Sequence, residues 1–493
     1  MLVHELARQG SDERIALYEK DAKYSYAQLK KKVDQYRNFL YAQGIHPTDN
    51  VGLFAKNSAG FIFSYLAVAS LGGVVVPLNT MLTGRETSFI LADSQARYIL
   101  TDKELQLNPG DIVSPPTQIL IQNINEETSR VSYPAAPVIP MPETDPCVIL
   151  YTSGTTGRPK GALLSHRNLI TNADAFSKVT EAAASDNTLC VLPMFHSFAW
   201  TCCVTTALYN AASITIVETF SPKEVIQTIR EMGVTVVMGV PAMYNYYASL
   251  ATPADLAAVR LFAAGGASLP LEILNSFYIK TGKKVIEGYG LSEASPAVAF
   301  NPLGATKPGS IGLPVPGVGV KIITGDGRET ATGEIGEIIV KGPNVMLGYY
   351  GLPGETEEAL RDGWLYTGDL AYKDEDGYIF IVDRKKDMVI VSGLNVYPRE
   401  VEEILYQHPV VQEAAVIGVP DKKRGETVRA FIVPKEGIPL NKKELLSFLK
   451  KNLASYKLPR EIIEIGAMPK TATGKISKKD LRQLYNNLND TES

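Results

Sequence analysis

Apolar and polar positions along the first 300 residues change repeatedly between the period of a strand and the period of a helix. Residues 14–26 alternate, which predicts a short hairpin, and residues 27–43 carry apolar side chains at helical spacing up to Gly44. A helix and then a strand are predicted over residues 85–102. Such alternation of strands with helices is typical of α/β layers with largely parallel sheets.

The most apolar stretch of the chain covers residues 61–78 and includes Gly72 and Gly73. Two adjacent glycines followed by valines indicate a buried helix, a turn and a strand rather than a membrane span. Residues 1–8 contain no apolar core of the kind that secretion signals have. We therefore expect a cytoplasmic protein without stable membrane insertion.

After residue 300 the pattern changes to short apolar strands separated by glycine turns. From about residue 305 this pattern predicts an antiparallel, barrel-like β region. A charged run at residues 383–387 follows, and beyond it the periods predict a small α+β unit with elements at residues 399–406 (helix), 411–419 (strand), 428–433 (strand) and 442–453 (helix). We expect an α/β fold, with layered α/β subdomains and the barrel-like region in residues 1–384 and the small α+β domain in residues 385–493.

Two stretches show no clear period. Residues 104–145 are rich in proline, asparagine and threonine, which predicts a loop region. Residues 484–493 are polar, and we expect the end of the chain to be frayed.

Composition and charge narrow the class of protein. The chain has 493 residues, of which 45% are hydrophobic and 21% charged, so it is long enough for more than one domain with a sizeable core. A net charge of −4 gives no general attraction to nucleic acid. The four cysteines form no CxxC pair, so buried reduced thiols are favoured over a zinc site.

The most conspicuous motif is the glycine- and hydroxyl-rich segment at residues 151–161, which follows an apolar strand. Glycines let backbone amides approach phosphate oxygens, hydroxyls add donors and a lysine adds a charge. The spacing is not that of a Walker loop, and a surface turn of similar composition is the alternative. The residues that we predict to handle ATP phosphates here are Thr152, Ser153, Gly154, Thr155, Thr156, Gly157 and Lys160.

Further sequence motifs, here called blocks, follow this loop along nearly the whole chain. Together with the loop they resemble, in the same order, the motifs of the acyl-adenylate-forming superfamily, which includes acyl-CoA synthetases, luciferases and adenylation domains of peptide synthetases. Within it, the chain is most like a fatty-acid–CoA ligase. One block alone would say little, but their shared order excludes coincidence. The blocks after the loop lie at residues 192–199, 264–267, 287–294, 333–338, 366–370, 383–387 and 469–476.

The resemblance implies an ATP site built from several of these blocks. Tyr289 would stack on adenine, Asp369 would accept hydrogen bonds from the ribose hydroxyls, and Arg384 would contact ribose or phosphate. A core aromatic and a solvated charge run are the alternatives for Tyr289 and Arg384. The backbone around the base would come from Gly266, Ala267, Gly288 and Gly290.

The resemblance also implies the chemistry. Glu293 would hold Mg²⁺ against the ATP phosphates, as a hard cation prefers oxygen ligands, and Ser292 would donate to the α-phosphate. A carboxylate is already ionised at neutral pH, so its attack on phosphorus needs charge neutralisation and alignment rather than a base. Lys475 would supply that charge, although it also stands in a lysine-rich stretch. His196 would lie at the acyl group and reorient between half-reactions.

A second half-reaction would pass the acyl group to a thiol after the small C-terminal domain rotates about Lys386. The turn with Gly393 and Asn395 would then border the channel of the acceptor. No fused carrier domain follows Lys475, so free coenzyme A is the simplest acceptor. A stand-alone enzyme that loads a separate carrier protein is an alternative, and so is a sensor that has lost catalysis. Monomer and homodimer are equally compatible with the sequence.

The acid is predicted from the segments that the resemblance places around it. Residues 196–204, 238–247, 263–268 and 295–298 contain no lysine or arginine, so a second carboxylate would be left unpaired. An apolar monocarboxylate fits better, with a medium- or long-chain fatty acid as first choice and an aryl or cinnamate-type acid as second. The predicted pocket residues are Phe198, Trp200, Val240, Gly265 and Ala297.

Overall fold

The computed structural model describes residues 1–108, 110, 112, 114–152, 158–421, 423–471 and 474–490. Within these residues, 26 strands form four sheets. Numbered in chain order, the strands are β1 (Ile15–Glu19), β2 (Ala22–Ser25), β3 (Asn50–Phe54), β4 (Val74–Pro77), β5 (Tyr98–Thr101), β6 (Thr117–Leu120), β7 (Pro146–Thr152), β8 (Lys160–Ser165), β9 (Asn187–Cys190), β10 (Ser213–Ile216), β11 (Val236–Gly239), β12 (Leu261–Ala264), β13 (Val285–Gly290), β14 (Ala297–Phe300), β15 (Leu313–Pro314), β16 (Gly319–Ile323), β17 (Gly336–Lys341), β18 (Gly348–Tyr349), β19 (Leu360–Arg361), β20 (Trp364–Lys373), β21 (Ile379–Arg384), β22 (Val389–Val391), β23 (Leu394–Val396), β24 (Val411–Asp421), β25 (Gly425–Pro434) and β26 (Glu461–Glu464).

Helices cover the sheets and connect their strands. The α-helices of the described residues are α1 (Tyr26–Ala42), α2 (Ala59–Ser70), α3 (Gly84–Asp93), α4 (Ile121–Arg130), α5 (His166–Thr180), α6 (Thr206–Tyr209), α7 (Pro222–Glu231), α8 (Pro241–Leu250), α9 (Leu271–Thr281), α10 (Pro353–Ala359), α11 (Pro398–Tyr406), α12 (Lys442–Asn452) and α13 (Lys478–Asp490). A π-helical segment spans Phe198–Thr205, and short 3-10 turns lie at Val3–Arg8, Ser292–Ala294 and Ser455–Lys457.

Two large, mainly parallel sheets form the N-terminal part of the fold. One has nine strands in the order β15-β14-β13-β12-β11-β9-β10-β1-β2, and the other has seven in the order β18-β8-β7-β4-β3-β5-β6. Both faces of β3 and β4 are buried, which explains why these strands read as continuous apolar runs. The predicted α/β layers with largely parallel sheets are confirmed.

The two remaining sheets are smaller. In the third, β16, β17, β20, β19 and β21 pair antiparallel in the predicted β region. The fourth sheet begins at β22 and packs with α11, α12 and α13. The predicted fold class is confirmed as a large N-terminal domain of sheets with a smaller C-terminal domain, whereas the proposed boundary after Arg384 stays a prediction.

Most predicted elements form for local reasons, and two predictions are wrong. The helix predicted at residues 27–43 is α1, whose first turn is capped by Ser25, which accepts a hydrogen bond from the backbone N–H of Gln28. Residues 104–145 are not all loop, because β6 and α4 form within them and bury Ile119 and Ile124. The chain is not frayed from residue 484, because α13 continues to Asp490.

All four cysteines are buried and unpaired, as the sequence predicts. Burial raises the pKa of the Cys147 and Cys202 thiols. Among the described helices, none combines the length and apolarity needed to cross a bilayer.

Candidate active site

A cavity of about 1870 Å³ opens where the carboxyl ends of β7, β12 and β13 meet the C-terminal domain. Ligands of open α/β sheets bind outside the carboxyl ends of the strands. The cavity contains most of the residues singled out in the sequence, which are Thr152, Lys160, His196, Phe198, Gly265, Gly266, Ala267, Gly288, Tyr289, Gly290, Ser292, Glu293, Ala297, Asp369, Arg384, Lys386 and Lys475.

The two ends of the segment predicted to bind phosphate lie side by side at the edge of this cavity. Thr152 ends β7 and pairs across the sheet with Lys160, which begins β8. Thr152 and Lys160 are therefore held beside each other by an antiparallel ladder. Of the residues predicted to bind phosphate, five lie outside the described part of the chain: Ser153, Gly154, Thr155, Thr156 and Gly157.

Lys160 and Glu293 belong to one chain of contacts through Tyr349. The Tyr349 hydroxyl donates to Glu293 Oε1 at 3.0 Å, and Lys160 Nζ lies 5.3 Å from the centre of the Tyr349 ring. Lys160 forms an ion pair with Glu355 on its other side. The predicted phosphate ligand and the predicted metal ligand are thus joined by an aromatic side chain.

The carboxylate of Glu293 has the hard oxygen donors that Mg²⁺ requires. Within the described residues, no group of three or more histidine, cysteine, aspartate or glutamate side chains is placed to hold a metal ion. A magnesium ion at Glu293 would therefore take most of its ligands from phosphate oxygens and water, which is usual for Mg²⁺ bound with a nucleotide.

Asp369 lies at the end of the cavity that holds the residues predicted to bind ATP, which we call the nucleotide end. Its Oδ2 accepts a hydrogen bond of 2.5 Å from the Tyr289 hydroxyl, and Arg384 Nε lies 3.3 Å from its Oδ1. Asp369 and Arg384 are register partners on β20 and β21, so the sheet itself places them together. Burial raises the pKa of Asp369, and the charge of Arg384 opposes that rise. Each carboxylate oxygen keeps a further lone pair for a ligand hydroxyl.

A tight hairpin in the C-terminal domain carries Lys475 into the same cavity. The backbone N–H of Thr471 donates to Lys475 O at 2.8 Å, and that of Gly474 donates to Thr471 O at 2.8 Å. A β-carbon at Gly266 would lie 2.9 Å from Lys475 Cε and 3.4 Å from its Nζ. The lysine thus lies against a glycine of the N-terminal domain, between the nucleotide end and the apolar end of the cavity.

The surroundings of Lys475 and His196 fix their charge states. Burial and the neighbouring Arg384 lower the pKa of Lys475 to about 8, with Asp369 opposing the shift. Burial and the charge of Lys475 lower the pKa of His196 to about 3. His196 Nδ1 accepts from the Phe198 backbone N–H at 3.1 Å, so the neutral ring carries its proton on Nε2. Lys475 is the cation here, and His196 is a neutral donor.

The turn after β13 brings Ser292 next to the histidine segment. Ser292 Oγ lies 3.1 Å from Ser197 Oγ, so the two hydroxyls share one hydrogen bond. Gly290 has no room for a side chain, because a β-carbon there would lie 2.1 Å from Pro296 O. This close approach holds the Ser292–Ala294 turn against the strand that follows it.

The apolar end of the cavity contains part of the predicted acyl pocket. Phe198, Gly265 and Ala297 line it, and a β-carbon at Gly265 would lie 3.0 Å from the Phe198 ring. Trp200 lies outside the lining, since its ring stacks on buried Tyr65 with the centroids 3.8 Å apart. Val240 also lies behind the lining.

A β-carbon at Gly474 would lie 3.2 Å from Val240 Cγ2, so Val240 borders the Lys475 hairpin instead. The sequence reasoning used the apolar character of Trp200 and Val240, which core residues share with pocket residues. Side-chain direction on the π-helical segment separates Phe198 from Trp200, and no sequence period shows that direction.

The C-terminal domain contacts this site through Arg399. Its Nη1 donates to Ile381 O at 2.7 Å, and its backbone N–H donates to Asp383 Oδ2 at 2.9 Å. The guanidinium also faces Glu287. Burial raises the pKa of Glu287 to about 7, and the positive charge of Arg399 opposes this rise. Lys386, the predicted hinge, lies exposed between β21 and β22.

Gly393 and Asn395, which we predict to border the coenzyme A channel, are exposed at the β22–β23 hairpin and do not line this cavity. Their predicted role would require a position of the C-terminal domain other than the one that brings Lys475 to Gly266, and it stays a prediction.

Sequence reasoning missed Tyr349, Glu355, Glu287, Arg399, Cys202 and Asn245, all of which line the cavity. The first two reach Lys160 because β18 pairs with β8, a long-range pairing that has no local signal. Asn245 sits on α8 one turn after Pro241, and within the described part of the chain its side chain makes no hydrogen bond. A polar side chain on the cavity face of a helix could have been flagged.

Comparison with known proteins agrees with this geometry. A family model described as "AMP-binding enzyme" matches residues 3–350, and one described as "AMP-binding enzyme C-terminal domain" matches residues 400–475. A feruloyl-CoA synthase of an Amycolatopsis species is 37% identical, covering 94% of each chain. A long-chain-fatty-acid–CoA ligase of Bacillus subtilis is 36% identical, covering 90% of this chain and 87% of its own.

Solved structures are similar along the whole chain. ATP-bound MatB from Rhodopseudomonas palustris superposes with a TM-score of 0.91 at 31% identity, covering 99% of this chain and 100% of its own. The o-succinylbenzoate CoA synthetase MenE from Bacillus subtilis, in complex with its acyl-adenylate intermediate, gives a TM-score of 0.88 at 29% identity and covers 97% of each chain.

Proposed function

Because the chain belongs to the AMP-binding enzyme family, we propose that it joins an apolar monocarboxylic acid to coenzyme A at the expense of ATP. It is an acid–thiol ligase of the AMP-forming kind, with ATP, Mg²⁺ and coenzyme A as its co-reactants. The observation that carries the proposal is the position of Lys475 against Gly266, where the nucleotide end and the apolar end of one cavity meet.

In the first half-reaction a carboxylate oxygen bonds to the α-phosphorus of ATP, and pyrophosphate leaves with the electrons of the broken P–O bond. Both reactants are anionic, so the barrier is lowered by positive charge and alignment. Lys475 supplies the charge at the junction, and Lys160 faces the departing phosphates. Asp369 and Tyr289 hold the nucleoside. A magnesium ion at Glu293 would neutralise phosphate charge.

In the second half-reaction the thiol sulfur bonds to the acyl carbon, and AMP leaves as its mixed-anhydride bond breaks. Lys475 occupies the junction in this structure, so the C-terminal domain must move before a thiol can enter from that side. We propose rotation about Lys386, which would bring Gly393 and Asn395 to the cavity. A hinge of this kind needs only a few backbone torsions to change.

The acid is proposed from the lining of the apolar end. Phe198, Ala297 and the glycine at 265 give apolar walls without a cation to pair a second carboxylate. A medium- or long-chain fatty acid is the first candidate. The similar long-chain-fatty-acid–CoA ligase of Bacillus subtilis supports this choice.

An aryl acid of the cinnamate type is the second candidate, and Asn245 is the observation that favours it. Its carboxamide makes no hydrogen bond within the described residues, and it would donate to a hydroxyl or methoxy group of a flat acid while Phe198 contacts the ring. The similar feruloyl-CoA synthase supports this candidate.

A panel of acids decides between these candidates. Pyrophosphate release and acyl-CoA formation are measured with ATP, Mg²⁺ and free coenzyme A, using fatty acids, cinnamates, dicarboxylates and amino acids. Asn245→Leu should leave fatty-acid activity intact and weaken the use of hydroxylated cinnamates if those are the substrates. Preference for dicarboxylates or amino acids would refute the proposed acid class.

A carrier protein is the alternative acceptor. A fatty acid–[acyl-carrier-protein] ligase of Streptomyces coeruleorubidus is 35% identical and covers 94% of this chain. Adenylation without any acyl-CoA product in the presence of free coenzyme A would support this alternative.

A further inference from the structure

Lys160 forms an ion pair with the carboxylate of Glu355, which also lines a second hollow beside α10. We propose that Glu355 is a positioning residue that neutralises Lys160 until ATP arrives and takes the lysine back as pyrophosphate leaves. The inference rests on the proposed function only in assigning Lys160 to the ATP phosphates.

The burial of Lys160 explains why it needs a counter-ion. Its side chain is only 14% exposed, whereas that of Glu355 is 35% exposed. An ammonium removed from water is costly unless it is paired. Tyr349 offers its ring face to the lysine, which adds a smaller attraction. Glu355 therefore stands where an anionic ligand of Lys160 would stand.

Phosphates and Glu355 compete for the same ammonium. With a triphosphate bound, the carboxylate would face negative charge at close range, which is unfavourable. The Tyr349 hydroxyl donates to the carboxylate of Glu293 at 3.0 Å, so Tyr349 links the Lys160–Glu355 pair to this second carboxylate. Removal of the Glu355 charge should therefore tighten anion binding rather than weaken it.

The structure offers Glu355 an alternative position. A small hollow lies beside α10, and Glu355, Glu358 and Arg361 line both this hollow and the main cavity. Arg361 donates Nε to Glu358 O at 3.0 Å and stacks on Tyr366, and its guanidinium forms no ion pair within the described residues. Because Glu355 and Arg361 line the same hollow, Arg361 is the partner that the carboxylate would take when phosphates bind Lys160.

The Glu355 carboxylate would make pyrophosphate release easier and would lower the affinity for ATP. As pyrophosphate leaves, the carboxylate returns to Lys160 and replaces the phosphate charge. A site without this carboxylate would bind both anions more tightly and release the product more slowly.

The test is equilibrium binding of ATP alone and of pyrophosphate alone, in the presence of Mg²⁺ and without acid. Glu355→Gln keeps the size of the side chain and removes its charge, and we expect about three- to tenfold tighter binding of both anions, from a pair worth on the order of 1 kcal/mol. Glu375→Gln, at the exposed turn between β20 and β21, is the control and should change neither affinity. Thermal stability should fall slightly in Glu355→Gln, because Lys160 loses its counter-ion, and should be unchanged in the control.

Two further variants sharpen the outcome. Glu355→Asp keeps the charge and should stay close to the original affinities. Arg361→Gln removes the alternative partner and should weaken ATP binding by about two- to fivefold, which is the range of an exposed ion pair. Weaker or unchanged ATP binding by Glu355→Gln would overturn the inference. Absence of ATP binding by the unaltered protein would instead refute the proposed function.

Discussion

The side chain of Lys475 lies so close to Gly266 that a β-carbon at this glycine would come within 2.9 Å of the lysine Cε. Gly266 also has a φ of +79°, a conformation that costs other residues about 1 kcal/mol or more. We expect Gly266→Ala to slow acyl-adenylate formation by on the order of tenfold, because the lysine must move away from the junction.

This expectation is checked by measuring the two half-reactions separately. Thioester formation from a supplied acyl-adenylate should change less than adenylate formation, because Lys475 is not needed there. Gly304→Ala is the control, since a β-carbon at that glycine meets no atom within 4 Å. Equal losses in both half-reactions would contradict the assigned contact.

Removal of the lysine charge tests its role directly. Lys475→Ala should lower the rate of adenylate formation by on the order of 10²-fold or more, because the charge stabilises the transition state of two anionic reactants. Rapid-quench measurement of acyl-adenylate distinguishes this loss from slower product release. An unchanged rate would refute the role of Lys475.

The pKa of Lys475 predicts a pH dependence. The active form is the cation, so kcat/KM for adenylation should fall as pH rises through about 8, far below the ordinary lysine value of 10.5. His196, with its pKa lowered to about 3, stays neutral throughout this range and adds no further limb. The profile of Lys475→Ala should lose the alkaline limb. Retention of that limb in the variant would assign it to another group.

Trp200 and Phe198 should respond differently to substitution, although both lie on the π-helical segment. Trp200→Phe loses stacking on Tyr65 and should reduce the free energy of unfolding by about 1 kcal/mol, with the acid preference unchanged. Phe198→Leu should shift the ratio of kcat/KM between acids by roughly tenfold, with little loss of stability. Denaturant unfolding and competition between two acids measure both effects. A changed acid preference in Trp200→Phe would place that side chain in the pocket.

Arg399 is expected to hold the C-terminal domain in the position seen here. Arg399→Ala loses the hydrogen bond to Ile381 O and leaves the buried carboxylate of Glu287 without its cation. We expect about tenfold slower adenylate formation and nearly unchanged thioester formation from supplied adenylate. Arg399→Lys should recover part of the loss. A larger loss in the thioester step would show that Arg399 serves the other domain position.

The fold was predictable where local chemistry and tertiary packing agree. The capped helix α1 and the hairpin before it follow from short-range patterns that the final structure preserves. Residues 104–145 were mispredicted because β6 and α4 are short and lie among prolines. Their place is decided by pairing of β6 with β5 and by burial of Ile124, which no local period reveals.

The candidate site was predictable as a set of residues but not as a geometry. Asp369 and Arg384 stand in separate motifs, and only the register of β20 and β21 shows that they are partners. Lys475 and His196 come from distant parts of the sequence. The pKa of each is lowered by burial and by a neighbouring positive charge, and both causes exist only in the folded site. Glu355 belongs to no recognised motif, because its importance comes from the neighbour that it neutralises.

The burial of all four cysteines makes this chain suited to following the proposed domain rotation by spectroscopy. Buried native thiols are shielded from maleimides, so dyes would attach selectively to cysteines introduced on the surface. One dye on the outer face of α9 and one on α12 would convert rotation about Lys386 into a change of energy transfer. The distance could then be read while ATP, acid and coenzyme A are added in turn.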